Sequence, residues 1–437
     1  MTGAELRVTV RWPRALVNRA SNSVNLTVAG WCVLVASTAV YLALSNGISD
    51  SFNVAGAYAA FDFKIYHFAA LRVVNHVPLY GRSMLSGLGF TYPPFAALVM
   101  VPLAWFSVTL GRWLEFWGDL VLLVWMLRRA LLIRDGRADG SGFSAAERAW
   151  MWPLAAAAAG AALWLEPVSA TLGYGQVNLL ISALVVFDLT RPDGARGKGV
   201  AIGLAAAIKL TPLIFVPYLF FTGRRRAALV ATVVFLLSIP VVYLCVPGDA
   251  ATYWGAHRFL SANGIGNAFD PTNQSFLGAI GRLVNQGTAG GAADALDAVV
   301  GACGLVLAVC AGRAGDEAAG YSLAALAGLL LCPVSWSHHW TIVVPALMLL
   351  YWRAYRCRSV RLTLCAVFLT LMGFVQIPQI MAHKHHGVTG AASVITTDQY
   401  VIVALIAMVA SATVFVRRAR SRSSGFRVAT VLQRSAD

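Results

Sequence analysis

The sequence predicts an all-α, polytopic transmembrane protein, and three observations carry that reading. Charged residues make up only 12% of the 437 residues, against about 25% in soluble domains. Hydrophobic residues make up 58%, and the mean hydropathy is +0.69. The apolar residues are gathered into runs at 29–45, 91–107, 116–127, 149–165, 177–187, 227–246, 298–311, 319–332, 341–352, 362–380 and 400–416. Several reach the roughly 20 residues that cross about 30 Å of hydrocarbon, and others reach it with their flanks. Only helices or closed barrels satisfy the backbone in lipid, and the runs lack the alternation of barrel strands.

The net charge of +15 reports topology rather than a nucleic-acid partner, because the cations sit in short connecting segments. Arg7, Arg11, Arg14 and Arg19 precede the first run; Arg191, Arg196 and Lys198, then Arg224, Arg225 and Arg226, then Arg353, Arg356, Arg358 and Arg361 lie in loops; Arg417, Arg418, Arg420, Arg422 and Arg427 follow the last run. Cationic loops stay cytoplasmic. The rule puts both ends inside, with residues 1–28 as a cytoplasmic arm, 29–417 as one transmembrane catalytic domain and 418–437 as a basic tail. Outer loops are expected at about 46–90, 247–292 and 381–399.

Taken in order, the first run should stay as a helix, since no signal-peptide pattern precedes it. The runs 91–107 and 112–133 break the parity of crossings, because an outer loop precedes them and Arg128, Arg129, Arg134 and Arg137 follow; one of them is expected to be re-entrant. Residues 199–222 lie between two inside loops and contain Lys209, Pro212 and Pro217, a pattern that fits two half-helices broken where they line a cavity. Spans total about ten to twelve, since each needs close to 20 apolar residues. The seven cysteines lie mostly within apolar runs without a CxxC pair, and read as small core residues rather than a disulfide frame or metal site.

Chemistry-bearing residues concentrate at the outer ends. Asp62, in Phe61-Asp62-Phe63-Lys64-Ile65-Tyr66-His67, follows the first span. An acid flanked by aromatics at the membrane surface is placed to act as a general base with a raised pKa; the structural alternative is pairing with Lys64 or Arg72. His338 and His339, in Pro333-Val334-Ser335-Trp336-Ser337-His338-His339-Trp340, could hold a phosphate or share a proton, or else belong to an interfacial aromatic belt. Adjacent histidines on a helix point apart, so no shared metal is expected. Lys209 is an intramembrane cation, a functional candidate unless it snorkels. Glu166, Gln176, Asn178, Asn273 and Gln274 read as cavity-shaping polar groups, and Asn273-Gln274-Ser275 also matches a glycosylation sequon. No Walker loop, GxGxxG, HExxH or nucleophile elbow is present in the sequence, which disfavours ATP-driven transport and hydrolysis.

Several of these segments together resemble glycosyltransferase family 87. They are Asp62 to His67, Val77-Pro78-Leu79-Tyr80, Phe90-Thr91-Tyr92-Pro93-Pro94-Phe95, Gly175-Gln176-Val177-Asn178-Leu179-Leu180, Ala207-Ile208-Lys209-Leu210-Thr211-Pro212-Leu213, Asn273-Gln274-Ser275 and Pro333 to Trp340, in order over about residues 50–350. The resemblance implies a C-type glycosyltransferase architecture in the plasma membrane, with its site on the periplasmic side. It implies transfer of mannose from polyprenyl-phosphate mannose to a mannolipid or mannan acceptor, with an α-1,2 linkage; a related branch transfers arabinofuranose. Asp62 matches the family's catalytic base, and His338 and His339 match its Trp-Ser-His-His-Trp segment, where a histidine is implicated in catalysis or in handling the donor phosphate, so both are candidate catalytic residues with Asp62. Lys64, Lys209, Arg258, Tyr92, Gln176, Asn178, Asn273 and Gln274 become candidate donor contacts. Lys64 stands where other C-type enzymes carry a second acid, so a metal is not expected, nor is any cofactor. The expected partners are the lipid-linked donor, the acceptor and membrane lipid, with no nucleic acid. A secondary transporter or flippase is the competing class, and it would show an inverted repeat and midplane binding groups rather than long outer loops.

Overall fold

The computed structural model describes residues 24–47, 60–81, 83–85, 87–133, 143–256, 269–284, 291–373 and 397–415; among them the chain forms helices and no strand. In chain order these are α1 (Val24–Gly47), α2 (Phe61–Val74), α3 (Pro94–Met100, continued by a 3-10 turn to Trp105), α4 (Val108–Ala130), α5 (Ala145–Ala162), α6 (Glu166–Tyr174), α7 (Asn178–Leu189), α8 (Val200–Ile208), α9 (Phe215–Phe221, entered through the 3-10 turn Thr211–Ile214), α10 (Arg225–Cys245), α11 (Pro247–Ala250), α12 (Phe276–Leu283), α13 (Gly291–Arg313) and α14 (Glu317–Leu331). A 3-10 helix, Ser337–Val343, then leads into α15 (Val344–Arg356) and α16 (Val360–Gly373), and α17 spans Gln399–Phe415.

Val24–Leu44, Arg225–Cys245 and Gly291–Arg313 are each long and apolar enough to cross a bilayer unaided. Two further pairs reach that length only together: Pro94–Trp105 with Val108–Ile133, bent by 118°, and Ala145–Ala162 with Glu166–Tyr174, bent by 79°. The first bend falls where the parity of crossings fails in the sequence. Five shorter apolar helices, Asn178–Leu189, Thr211–Phe221, Glu317–Leu331, Val360–Leu371 and Gln399–Phe415, account for further runs. The apolar runs thus divide into whole, bent and shortened helices instead of a uniform set of full-length spans. Irregular backbone at membrane depth is tolerated where it lines protein or a cavity, and the breaks here frame the site described below.

Local chemistry explains the helix ends. Ser107 caps α4 by accepting from Leu110 N at 3.2 Å, and Ser144 and Glu147 form a reciprocal capping box at α5. The Asp188 carboxylate accepts from the N–H groups of Gly199 and Ile202, so a buried acid satisfies the start of α8. Where α1 crosses α5, a Cβ on Gly30 would lie 2.3 Å from the Pro153 carbonyl oxygen; the small residue permits the close approach by which membrane helices gain dispersion contacts.

The cysteines depart from the sequence expectation. Six of them, Cys32, Cys245, Cys303, Cys310, Cys357 and Cys365, are exposed, and all seven are free thiols. The exposed surface of an apolar helix in lipid is as hydrophobic as its interior surface, so an apolar run does not by itself say which side chains are inside.

Candidate active site

The site is assembled around the bend between α6 and α7. Gly175 ends α6 with a φ of +71°, and a Cβ there would fall 2.6 Å from the Cβ of Phe63. Glycine therefore serves twice, relieving the left-handed backbone and letting α2 close in. Ala60, itself at φ 55°, starts α2 and donates its N–H to Gly173 O at 2.9 Å. Together these contacts set Asp62, in the first turn of α2, beside Gln176, the residue after the turn.

The Gln176 side chain is buried, and its Oε1 accepts from Tyr66 OH at 2.7 Å and Tyr92 OH at 3.0 Å; Tyr66 lies one turn of α2 beyond Asp62. Asp62 is half-buried. Burial pushes its carboxyl up to about 6, while the nearby Gln176 amide and the charge of Lys209 act to lower it. Burial also raises the phenols of Tyr66 and Tyr92 above their ordinary value, so both stay protonated donors.

Lys209 occupies the break between α8 and the 3-10 turn before α9. Its Nζ donates to Asn178 Oδ1 at 2.8 Å and stands 5.5 Å from the centre of the Tyr92 ring. Asn178 Nδ2 in turn donates to the His338 carbonyl at 3.1 Å, and Thr171 Oγ1 donates to the same oxygen at 3.0 Å. The His338 ring packs 5.3 Å from that of Tyr174 and 4.9 Å from that of His339. His338 Nε2 and His339 Nδ1 are buried without a hydrogen-bond partner among the described residues. Burial, with Lys209 nearby, pushes His338 down to about 3 and His339 well below its ordinary value, so both are neutral.

Beside these groups lies a cleft. Asn178, Lys209 and His339 supply its polar end, and Ile181, Phe215, Leu329 and Ile342 are among its apolar walls. An ammonium, an amide and an imidazole at one end of an apolar slot fit an anionic headgroup with a hydrophobic tail.

Asn273 and Gln274, expected to be substrate contacts, do another job. Asn273 is fully buried; its Oδ1 accepts from Ser275 N and from Ser335 N, and its Nδ2 donates to Pro333 O. Gln274 Nε2 donates to the Pro271 and Thr397 carbonyls, and its Oε1 accepts from Tyr400 N. Gln274 N–H donates to Ser335 O at 2.7 Å and Ser337 N–H to Thr272 O at 2.9 Å. These amides therefore brace the backbone that carries the histidines, and the burial of Asn273 leaves no room for a glycan in the folded chain. Lys64 is half-buried two residues from Asp62. Arg258, the segment 381–396 with His383, Lys384, His385 and His386, and both terminal segments outside 24–415 lie outside the described residues.

Glu166 plays a larger part than its sequence context signals. Its carboxylate, 1% exposed, accepts from Ser337 Oγ at 2.7 Å and from Tyr400 OH at 2.5 Å, joining α6, the histidine segment and α17. Arg282, which ion-pairs with Asp398, donates to the carbonyls of Asp270 and Asn273 at 2.7 Å each and ties the same elements from behind. Tyr66, Ser337, Tyr400 and Arg282 went unmarked in the sequence because their partners lie up to 234 residues away. Among the described residues, no three His, Cys, Asp or Glu side chains gather as a metal site.

Residues 90–335 match the sequence model of glycosyltransferase family 87. The chain is 30% identical over 337 residues to a Mycobacterium tuberculosis polyprenol-phosphate-mannose-dependent α-(1-2)-phosphatidylinositol mannoside mannosyltransferase, covering 74% of this chain and 78% of that protein. Identity to the Mycolicibacterium smegmatis protein of the same name is 33% over 352 residues, covering 74% and 77%. A Mycobacterium tuberculosis polyprenol-phosphate-mannose-dependent α-(1-2)-phosphatidylinositol pentamannoside mannosyltransferase is 34% identical over 266 residues, covering 60% and 58%. No solved structure matches the chain.

Proposed function

This chain belongs to glycosyltransferase family 87, and from that premise we propose that it is a membrane-embedded α-1,2-mannosyltransferase. Its donor is polyprenyl-phosphate mannose and its acceptor a phosphatidylinositol mannoside or related mannolipid. The activities for which the relatives are named support mannose over arabinofuranose and support that donor and acceptor class. The observation that carries the reading is an apolar cleft with Asn178, Lys209 and His339 at its polar end, where Lys209 lies 5.5 Å from the Tyr92 ring and Tyr92 is joined through Gln176 to Tyr66, one turn of α2 from Asp62.

In the reaction, Asp62 takes the proton of the acceptor hydroxyl as its oxygen attacks the anomeric carbon of mannose. A new carbon–oxygen bond forms to the acceptor, the bond to the phosphate oxygen breaks, and its electron pair leaves with polyprenyl phosphate. One in-line displacement inverts a β-linked donor to an α-linked product. Lys209 meets the charge gathering on the phosphate, and the neutral imidazoles of His338 and His339 have ring nitrogens free for its oxygens. The lipid tail lies along the apolar walls of the cleft. A monophosphate carries less charge than a nucleoside diphosphate, so the proposed chemistry calls for no metal. The basic loops support a site on the periplasmic side of the plasma membrane.

The test is transfer of label from polyprenyl-phosphate [¹⁴C]mannose to phosphatidylinositol mannosides by the purified full chain. Asp62→Ala is expected to abolish transfer while the protein keeps wild-type abundance and elution volume. Near-normal turnover would remove Asp62 from the mechanism.

A further inference from the structure

Asn178 opens α7 and is 3% exposed. Both polar atoms of its amide are engaged by groups at the polar end of the cleft. Oδ1 accepts from Lys209 Nζ at 2.8 Å, and Nδ2 donates to the carbonyl of His338 at 3.1 Å. One amide therefore links the break after α8, which carries the ammonium, to the 3-10 helix Ser337–Val343, which carries the imidazoles. These partners lie 31 and 160 residues away along the chain.

The 3-10 helix is fastened at further points through its backbone and hydroxyls. Thr171 Oγ1 also donates to the His338 carbonyl, at 3.0 Å, and Ser337 Oγ donates to Glu166 at 2.7 Å. Thr341 Oγ1 meets Ser182 Oγ at 3.1 Å, one turn along α7 from Asn178. None of these bonds uses an imidazole nitrogen, and His338 Nε2 and His339 Nδ1 have no hydrogen-bond partner among the described residues. The rings are thus held in place by the chain that carries them. On the other side, an ammonium has three N–H donors. Asn178 takes one, which leaves two for a ligand in the cleft that Lys209 and His339 both line.

We propose that Asn178 is the positioning residue of a two-part phosphate clamp: its amide fixes the Lys209 ammonium and the His338–His339 backbone in one register, so that both meet the same phosphate of the lipid-linked donor. This rests on the reading of the cleft as the donor site, and it moves Asn178 from the substrate contacts to the frame behind them. The lysine needs such a partner. Its ammonium is a compact charge on a flexible four-carbon stem, and a stem ordered only when the donor arrives would cost affinity. An amide suits the position better than a carboxylate. Aspartate would pair with Lys209 as an ion, cancel charge meant for the phosphate, and turn an acceptor oxygen toward the His338 carbonyl.

The experiment measures binding of farnesyl phosphate, a phosphate monoester on a short prenyl chain, to the purified full chain by isothermal titration calorimetry, with farnesol as the probe of the chain alone. For Asn178→Ala, the Kd for farnesyl phosphate is expected to rise on the order of tenfold, as for loss of a hydrogen bond to a charged group, while that for farnesol stays within about twofold. Asn178→Asp should weaken farnesyl phosphate at least as much. In the Lys209→Met background, Asn178→Ala should cost less than about threefold, because one of the two groups it aligns is already gone. Effects of the two substitutions that multiply in full would overturn the proposal. So would an unchanged Kd for farnesyl phosphate, or an equal loss for farnesol, which would make Asn178 a packing residue of the cleft. If Asn178→Ala does not yield folded protein, Asn178→Asp, which keeps the size and the contact with Lys209, decides by the same comparison of farnesyl phosphate with farnesol. No binding of farnesyl phosphate by wild type would overturn the clamp outright. Absence of mannosyl transfer by a wild type whose farnesyl phosphate binding still depends on Asn178 would instead defeat the transferase reading and leave the clamp standing.

Discussion

Replacing Lys209 by Met removes the cation whose amine faces both the Asn178 amide and the polar end of the cleft. The donor phosphate enters as a diester with one negative charge and leaves as a monoester moving toward two, so the interaction with Lys209 strengthens along the reaction. A unit charge about 4 Å from the ammonium at an effective dielectric of about 20 is worth about 4 kcal/mol. With half of the new charge developed at the transition state, the differential term is about 2 kcal/mol, or about a 30-fold loss in kcat. The charge already present in the ground state adds a rise in donor KM. The fold should survive, because exchanging a buried cation for an apolar chain of similar length removes a desolvation cost. Arginine should rescue only in part, since its planar fork does not reproduce a compact ammonium. Initial rates at varied polyprenyl-phosphate mannose, in detergent at fixed ionic strength, separate kcat from KM. Unchanged kcat and KM in folded Lys209→Met would refute the assignment of Lys209 to the leaving phosphate.

Two further outcomes follow from the scaffold. Glu166→Gln leaves one of the Ser337 and Tyr400 hydroxyls without its carboxylate acceptor, and should cost about 1–3 kcal/mol of stability. That loss is read as a lowered midpoint in thermal unfolding monitored by intrinsic fluorescence, and an unchanged midpoint would show that the Glu166 bridge does not hold the histidine segment. Gly175→Ala puts a Cβ into Phe63 at a φ of +71° and should lower stability by about 1–3 kcal/mol and depress transfer. Gly194→Ala, where a Cβ meets nothing within 4 Å, is the matched control; equal behaviour of the two would remove the argument that Gly175 sets the close approach of α2 to the turn after α6.

Much of the membrane fold was legible in the chain. A stretch with few charges, long apolar runs and arginines confined to loops has few other stable solutions, because the backbone must satisfy itself wherever water is absent. The parity failure around residues 91–133 pointed to the 118° bend, and the lysine and prolines within 199–222 pointed to the broken α8–α9 segment. The buried state of the seven cysteines was misread, since apolarity in lipid does not distinguish the interior from the outer face.

The candidate site divides along the same line. By itself the sequence determined which residue types were anomalous for their surroundings: an acid among aromatics at Asp62, a cation in an apolar run at Lys209, paired histidines after a helix-breaking proline. Such anomalies are local, because the cost of a charge in lipid is visible from its neighbours alone. Only the tertiary structure decided that Gln176 joins Tyr66 to Tyr92, that Asn273 and Gln274 brace the histidine segment, and that Glu166 joins three elements through Ser337 and Tyr400. Hydrogen bonds are directional and span a few ångströms in space across any distance in the chain, so a polar side chain's role is set by which partners folding brings to it.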